Sequence, residues 1–452
     1  MKSWLATIFI IFIAVSLSLA QSAGQSPETR SQTPPTAEAK PAASSSDSRP
    51  PAALYEEASN YARTKFEDFA RKRIAYDKNL EDRTWQEERA LAERHAALIK
   101  ARGNSAGDDL YYMGLLYQVA GKEDLALDAM RSFLAEKPAS PNEHAQVSRL
   151  AVASITAKRG LLEEAEKALA EYAGNEPQRA DQRFRMEVDV AVAYKKIKRL
   201  DRAVAHAEEA LKALESAHPK DEEINSYREG MDAATTFLIN LYLEMKRTGE
   251  AVKALEETRR LALVLPAPSI YRKANMALAA LGRPFEMPRR IEGEAAQAAM
   301  ARELVVAQWI DQKPLKLEEL KGRVVLLDFW APWCGPCIQT FPFLKGWHEK
   351  YKDRGLVILG LTHLDDASQA ERRTLTPAEE LSYLRRFKTQ HALPYGIAVA
   401  DNNDNDFTYG VFSLPTAFLI DRRGVLRHIA VGYNQQEASK LGRMIETLLQ
   451  EP

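Results

Sequence analysis

The sequence predicts a multidomain chain in which an α-helical solenoid of short helix pairs is followed by an α/β domain. Three observations lead there. From Leu54 to about Pro284 apolar residues recur at helical spacing, with Gly and Ala at regular intervals. From residue 286 onward, short apolar runs rich in β-branched residues alternate with helical patterns. The two cysteines of the 452-residue chain both sit in Trp333-Cys334-Gly335-Pro336-Cys337, where one such strand gives way to a helix. An apolar content of 45% supports two packed cores, and 62 basic against 63 acidic residues, a net charge of −1, argue against nucleic acid as a partner.

The chain opens with Met1-Lys2, an apolar run from Trp4 to Ala20 and the small-residue site Ser18-Leu19-Ala20. This pattern predicts a secretory signal over residues 1–20 and a periplasmic or otherwise extracytoplasmic location. No cysteine follows that would carry a lipoprotein anchor, while an uncleaved membrane anchor is the alternative because the run reaches the lower spanning length. Residues 21–53, rich in Ser, Pro, Ala and Gln, cannot bury enough apolar surface to offset chain entropy and predict a disordered linker.

Residues 54–285 form the helical region. Leu54, Ala58, Tyr61, Ala62, Phe66 and Phe69 follow one helical stripe, and Thr84-Trp85-Gln86-Glu87 predicts a capping box before Leu91, Leu98 and Ile99. Next comes a repeat: Gly114, Gly121, Ala126 and Pro138 recur 39 residues later as Ala153, Gly160, Ala165 and Pro177. Ala191, Tyr194, Ala203 and Ala210 make a third unit, and Tyr242, Ala251 and Leu255 a weaker fourth. Small residues let paired helices approach closely and a proline closes the second helix. This spacing resembles the tetratricopeptide family, although Phe133 and Tyr172 stand where a small residue is usual. Such arrays imply a concave surface that docks a protein partner; a spacer packed only on itself is the alternative.

Residues 286–452 form the second domain. Predicted strands are Val324 to Phe329, Leu356 to Leu361, Gly396 to Ala400, Thr416 to Ile420 and Val425 to Val431. Helices are predicted from Cys334 toward Tyr351, over Pro377 to His391 and over Glu437 to Gln450, with a hairpin turn at Asp421-Arg422-Arg423-Gly424.

A C-x-x-C pair at a helix start can close a small disulfide ring, and the helix N-terminus favours the thiolate of its first cysteine. Cys334 is thus the expected nucleophile and Cys337 the resolving thiol. Asp328, six residues before Cys334 in an apolar run, predicts a buried acid of raised pKa able to take the proton of Cys337; an ordinary acid at a strand turn is the bland reading. Pro342 falls inside the predicted helix and would kink it. Pro415, in Leu414-Pro415-Thr416, reads from sequence alone as a trans proline at a strand start.

The run Leu327-Asp328-Phe329-Trp330-Ala331-Pro332-Trp333-Cys334-Gly335-Pro336-Cys337 resembles the thioredoxin family, and the wider pattern resembles its extracytoplasmic TlpA-like branch. Leu320-Lys321-Gly322-Arg323-Val324-Val325, Tyr409-Gly410-Val411, Pro415-Thr416, Phe418-Leu419-Ile420-Asp421 and Gly432 add to the match, which covers about residues 286 to 452. The resemblance implies a thioredoxin fold, a cis Pro415, and Asp328 as the buried acid. It further implies thiol-disulfide exchange with protein substrates bound around Trp333, Gly335, Pro336, Leu414, Pro415 and Gly432. No cofactor beyond the redox-active Cys334–Cys337 disulfide is implied, and a membrane thiol relay is the implied electron donor. The Gly-Pro pair between the cysteines is similar to that of reducing members. Thr340 departs from the glutamate many of those carry, which weighs against cytochrome maturation as the task.

Other readings carry less. A zinc half-site lacks further cysteines. Asp401 to Asp406 resembles the start of a calcium loop but has Asp406 in place of Gly and Phe412 in place of Glu, so a solvated turn is expected. His363, Asp365 and Asp366 receive no catalytic role, and the polar stretch from Asp366 to Pro377 reads as an insertion. The expected function is an exported thiol-disulfide reductase whose helical repeats recruit a partner. A repeat scaffold with a merely binding thioredoxin fold is the alternative, and Trp-Cys-Gly-Pro-Cys argues against a peroxide-reducing enzyme.

Overall fold

The computed structural model describes residues 48–103, 105–215, 224–283 and 292–451. The signal at 1–20 and the linker as far as residue 47 lie outside the described residues; the first helix, Pro51–Ser59, begins within the last three residues assigned to the linker. Among the described residues no helix is long and apolar enough to cross a membrane. The chain divides into two compact units, Met1–Ala193 and Tyr194–Pro452.

The first unit is helical. Its opening stripe is broken at Asn60, whose side chain bonds the Glu56 carbonyl at 2.9 Å, so Pro51–Ser59 and Tyr61–Arg71 are separate helices. The capping box expected at Thr84 is absent. The helix runs Lys78–Ala101, is capped by Asp77 accepting from the Asn79 N–H, and buries Thr84, whose hydroxyl donates back to the Leu80 carbonyl at 2.8 Å. Asp77 and Lys78 to Glu81 supply the cap and first turn, seven residues before Thr84.

Asp108–Val119 packs on Glu123–Ala135, and Glu143–Lys158 on Leu162–Ala173. Small residues matter at one contact above all: a Cβ on Gly114 would lie 2.6 Å from the Met130 methyl. The 39-residue register appears in the turns. Gly121 and Gly160 are both left-handed, at φ 71° and 77°, and the next N–H reaches back to Tyr117 and Thr156 respectively, ending each helix in the same way.

The second unit contains helices and the sheet together. Leu200–Glu215, Ile224–Glu244, Thr248–Val264 and Pro268–Ala280 pack in succession. Strands β1 (Gln308–Ile310), β2 (Val324–Phe329), β3 (Leu356–His363), β4 (Gly396–Ala400), β5 (Thr416–Ile420) and β6 (Leu426–Val431) form one sheet in the order β1-β4-β3-β2-β5-β6. The β4-β3 and β3-β2 pairs are parallel, and the other pairs antiparallel. Every residue of β2, β4 and β5 is buried, as a sheet covered on both faces requires.

Alternation along the strands sorts the side chains. Val324, Leu326, Ile358 and Leu419 face the helices Gly335–Tyr351, Pro377–Gln390 and Gln435–Gln450. Val325, Leu327, Phe329 and Phe418 join a second core with Met231, Leu261, Leu263, Ile270 and Tyr271 of the preceding helices. Packing therefore divides the chain elsewhere than the compositional change at 285/286, because the second face of the sheet is covered by helices that read as part of the repeat array.

Candidate active site

Asp328 belongs by alternation to the β2 face that carries Val324 and Leu326, the face packed on the helix Gly335–Tyr351. The strand ends at Phe329, and the Trp330 N–H bonds the Leu361 carbonyl of β3 at 3.0 Å, which continues the sheet register into the loop. Cys334 then caps the next helix, with Pro336 in its first turn where no N–H is needed. Pro342 lies inside that helix, as expected.

Cys334 and Cys337 form a disulfide with Cα atoms 5.2 Å apart. The Cys337 N–H points at Cys334 Sγ, 3.2 Å away, which directs a backbone donor at the sulfur that would carry negative charge after reduction. Both cysteines are buried, Cys334 4% exposed and Cys337 0%, while Trp333, Gly335 and Pro336 beside them are exposed. Thr340, in place of the family glutamate, spends its hydroxyl on the Cys337 carbonyl at 2.6 Å.

Asp328 is buried, 2% exposed, on the sheet face that carries the apolar core. Its Oδ2 has no hydrogen-bond partner among the described residues, and burial pushes its carboxyl up to about 7. Nearby, Trp330 Nε1 and Tyr395 Oη are likewise unpartnered, and a Cβ on Gly360, the β3 partner of Asp328, would meet Trp330 Nε1 at 2.7 Å. The charge of Asp328 also raises the Tyr395 phenol, second to burial. Sequence reasoning located Asp328 but not Tyr395, an aromatic before β4 that carries no periodic or motif signal.

Leu414-Pro415 is cis, in accord with the resemblance and against the trans proline read from the residues alone. The Pro415 carbonyl accepts from the Gly432 N–H at 2.8 Å, and Gly432 has φ 75°, so a positive-φ glycine ties the proline loop to the end of β6. Leu414 packs against the core cluster that contains both cysteines.

Beside the dithiol lies a cavity of about 360 Å³ whose lining includes Trp333, His363, Asp366, Phe407, Phe412 and Leu414. Neither cysteine lines it, and Gly335, Pro336, Pro415 and Gly432 lie outside its lining. Asp366, given no role from the sequence, organises one wall. Its Oδ1 accepts from Trp333 Nε1 at 2.9 Å, and its Oδ2 from the Thr362 hydroxyl and His363 N–H at 2.8 Å each. His363 Nε2 lies 2.8 Å from Asp406 Oδ2. Burial opposes charge on this imidazole, but Asp366 and Asp406 outweigh it and lift His363 to about 10. The expected polar insertion is partly a helix, Asp365–Glu371, and the expected solvated turn leads into another, Asp404–Tyr409. Asn405 in that second helix is buried and exchanges hydrogen bonds with both backbone groups of Val305. Among the described residues no group of His, Cys, Asp and Glu is arranged to hold a metal.

The Redoxin family model matches residues 301–445. Those residues form a thioredoxin-like redoxin domain. Thiol-disulfide oxidoreductase ResA of Bacillus anthracis is 31% identical over 128 residues, 28% of this chain and 66% of its own length. Protein DipZ of Mycobacterium tuberculosis is 31% identical over 138 residues, 29% of this chain and 19% of its own. A solved structure from Chlorobium tepidum, described as a candidate thiol:disulfide interchange protein DsbE, is 29% identical with a TM-score of 0.28, covering 33% of this chain and 95% of its own. The chain thus spans slightly under two thirds of ResA and about a fifth of DipZ. The redox centre of a redoxin domain of this kind is its cysteine pair.

Proposed function

We propose that the protein is a thiol-disulfide oxidoreductase that reduces disulfides of protein substrates in an extracytoplasmic compartment. The observation that carries this is the Cys334–Cys337 disulfide at a helix N-terminus, with Cys337 buried in the core on the sheet face that bears Asp328, a buried acid whose Oδ2 has no partner among the described residues.

The reduced Cys334 thiolate attacks one sulfur of a substrate disulfide, forms a mixed disulfide and releases the other sulfur as a thiolate. Cys337 loses its proton to Asp328 and attacks Cys334 Sγ; the second substrate thiol leaves and the Cys334–Cys337 disulfide forms. Two electrons pass to the substrate, and an external dithiol, proposed to be a membrane thiol relay, restores the pair. An acid that titrates at about 7 suits this proton transfer, since it is ionised enough to accept and basic enough to drive the step. Trp333, Gly335, Pro336, Leu414, Pro415 and Gly432 are the proposed contacts for the substrate. The helices before the redoxin domain are proposed to recruit the partner.

Trapping tests the order of attack. Cys337→Ser is expected to accumulate a mixed disulfide on Cys334 with a protein substrate such as insulin; recovery of none, with Cys334 reactive to alkylation, would defeat the reading. The reduction potential tests direction: about −270 mV supports a reductase and about −120 mV an oxidant.

A further inference from the structure

Arg228, in the helix Ile224–Glu244, is 5% exposed and ends among backbone oxygens of the redoxin domain. Its Nη1 donates to the Phe407 carbonyl at 2.5 Å and to Asn225 Oδ1 at 2.8 Å, its Nη2 to the Thr408 carbonyl at 2.6 Å, and its Nε to the Pro266 carbonyl at 2.7 Å. None of these partners is a carboxylate. Among the described residues the buried cation is held by neutral oxygens, and burial, aided by repulsion from Arg302, lowers it to about 10. Such a guanidinium is costly to keep unless its donors are needed where they are.

The place is specific. Phe407 and Thr408 form the last turn of the helix Asp404–Tyr409, whose end carbonyls lack partners within the helix. Gly410 follows at φ 66°, and a Cβ there would stand 2.6 Å from the Pro266 oxygen and 2.9 Å from the Arg228 guanidinium. From this anchor the chain runs directly through Val411, Phe412, Ser413 and Leu414, all lining the cavity beside Trp333, to the cis Pro415. Phe412 is 68% exposed, so the loop's outer part has little packing of its own to hold it.

We infer that Arg228 is a positioning residue for the substrate loop Gly410–Pro415, which makes the helix Ile224–Glu244 part of the redox site. This rests on the oxidoreductase reading for its consequence and on geometry for the strut. Lysine cannot reproduce the fork that spans three carbonyls, and methionine removes all of these donors, leaving the Phe407 carbonyl only the Gly410 N–H at 3.3 Å.

The test compares wild-type full-length chain with Arg228→Lys and Arg228→Met. Hydrogen exchange in residues 404–415 is expected to accelerate about tenfold or more in both variants, with β2 and β3 still protected. KM for insulin should rise about tenfold, while the Cys334–Cys337 reduction potential and the rate with a small disulfide stay within about twofold. Unchanged exchange in 404–415 overturns the inference. So does an equal rise across β2 and β3, the mark of a residue that merely stabilises the fold. If wild-type protein fails to reduce insulin, the oxidoreductase reading falls, and the exchange data still decide the strut. Should Arg228→Met not fold, Arg228→Lys carries the same comparison with its charge retained.

Discussion

Substituting Asp328→Asn isolates the free-energy cost of the buried acid. The carboxyl is enclosed, its Oδ2 is unpartnered among the described residues, and burial raises it from 3.8 to about 7. At ~1.36 kcal/mol per pH unit, that rise corresponds to on the order of 4 kcal/mol. The sign follows from proton linkage. Below the unfolded value both states hold the proton and there is no penalty. As pH rises toward about 7 the unfolded chain releases it while the folded state keeps it, so stability falls, and the loss is complete once pH passes the folded value. Asn cannot ionise, so the variant lacks this slope, although its buried amide costs roughly 1–3 kcal/mol at every pH. Urea unfolding of the oxidised full chain from about pH 4 to about pH 9 reads the difference, using the transition that moves when the Cys334–Cys337 disulfide is reduced. Wild-type stability should decline relative to Asp328→Asn across the interval and level off above about pH 7. Parallel profiles would refute the buried-acid argument and with it the proton acceptor for Cys337.

At about pH 7, Asp328→Asn should also slow resolution of the mixed disulfide by about 100-fold with little change in its formation, read by quenched-flow trapping. His363 titrates in the opposite part of the pH range: its raised value makes its stabilising contribution full below about 6.5 and lost as pH rises through about 10, so its imidazole resonances should not move between about pH 5.5 and pH 8.5, and an ordinary midpoint would contradict the Asp366–His363–Asp406 arrangement. Tyr395→Phe removes a hydroxyl without a partner among the described residues, so stability should stay within about 1 kcal/mol or rise, and a loss of several would reveal a partner for that oxygen. Truncation provides the last test. A fragment starting at residue 292 leaves the sheet face of Leu327 and Phe329 without Met231, Leu261, Leu263, Ile270 and Tyr271, each worth ~1.5–3 kcal/mol of burial, which together is comparable with the ~5–15 kcal/mol that holds a whole domain. It should aggregate or bind a hydrophobic dye, whereas a fragment starting at residue 194 should fold cooperatively.

By itself the sequence determined what local chemistry controls. Two cysteines at one strand-to-helix junction specified the redox pair, and the apolar run around Asp328 specified its burial, since strand alternation fixes the face once the strand is known. The 39-residue recurrence of Gly121 and Gly160 was legible, but that both take the left-handed conformation and end a helix came from the structure. Tertiary structure decided the rest. Pro415 is cis in a context whose own residues favoured trans, since an X-Pro preference of about 1 kcal/mol is small beside loop packing. Asp366, Tyr395 and Arg228 owe their place at the site to residues 33, 67 and 179 positions away, namely Trp333, Asp328 and Phe407, whatever local hydrogen bonds Asp366 and Arg228 also make. The same cause explains the domain boundary. Composition changes at 285/286, but the uncovered face of a sheet takes whichever apolar helices can reach it, and here these are helices that precede the change.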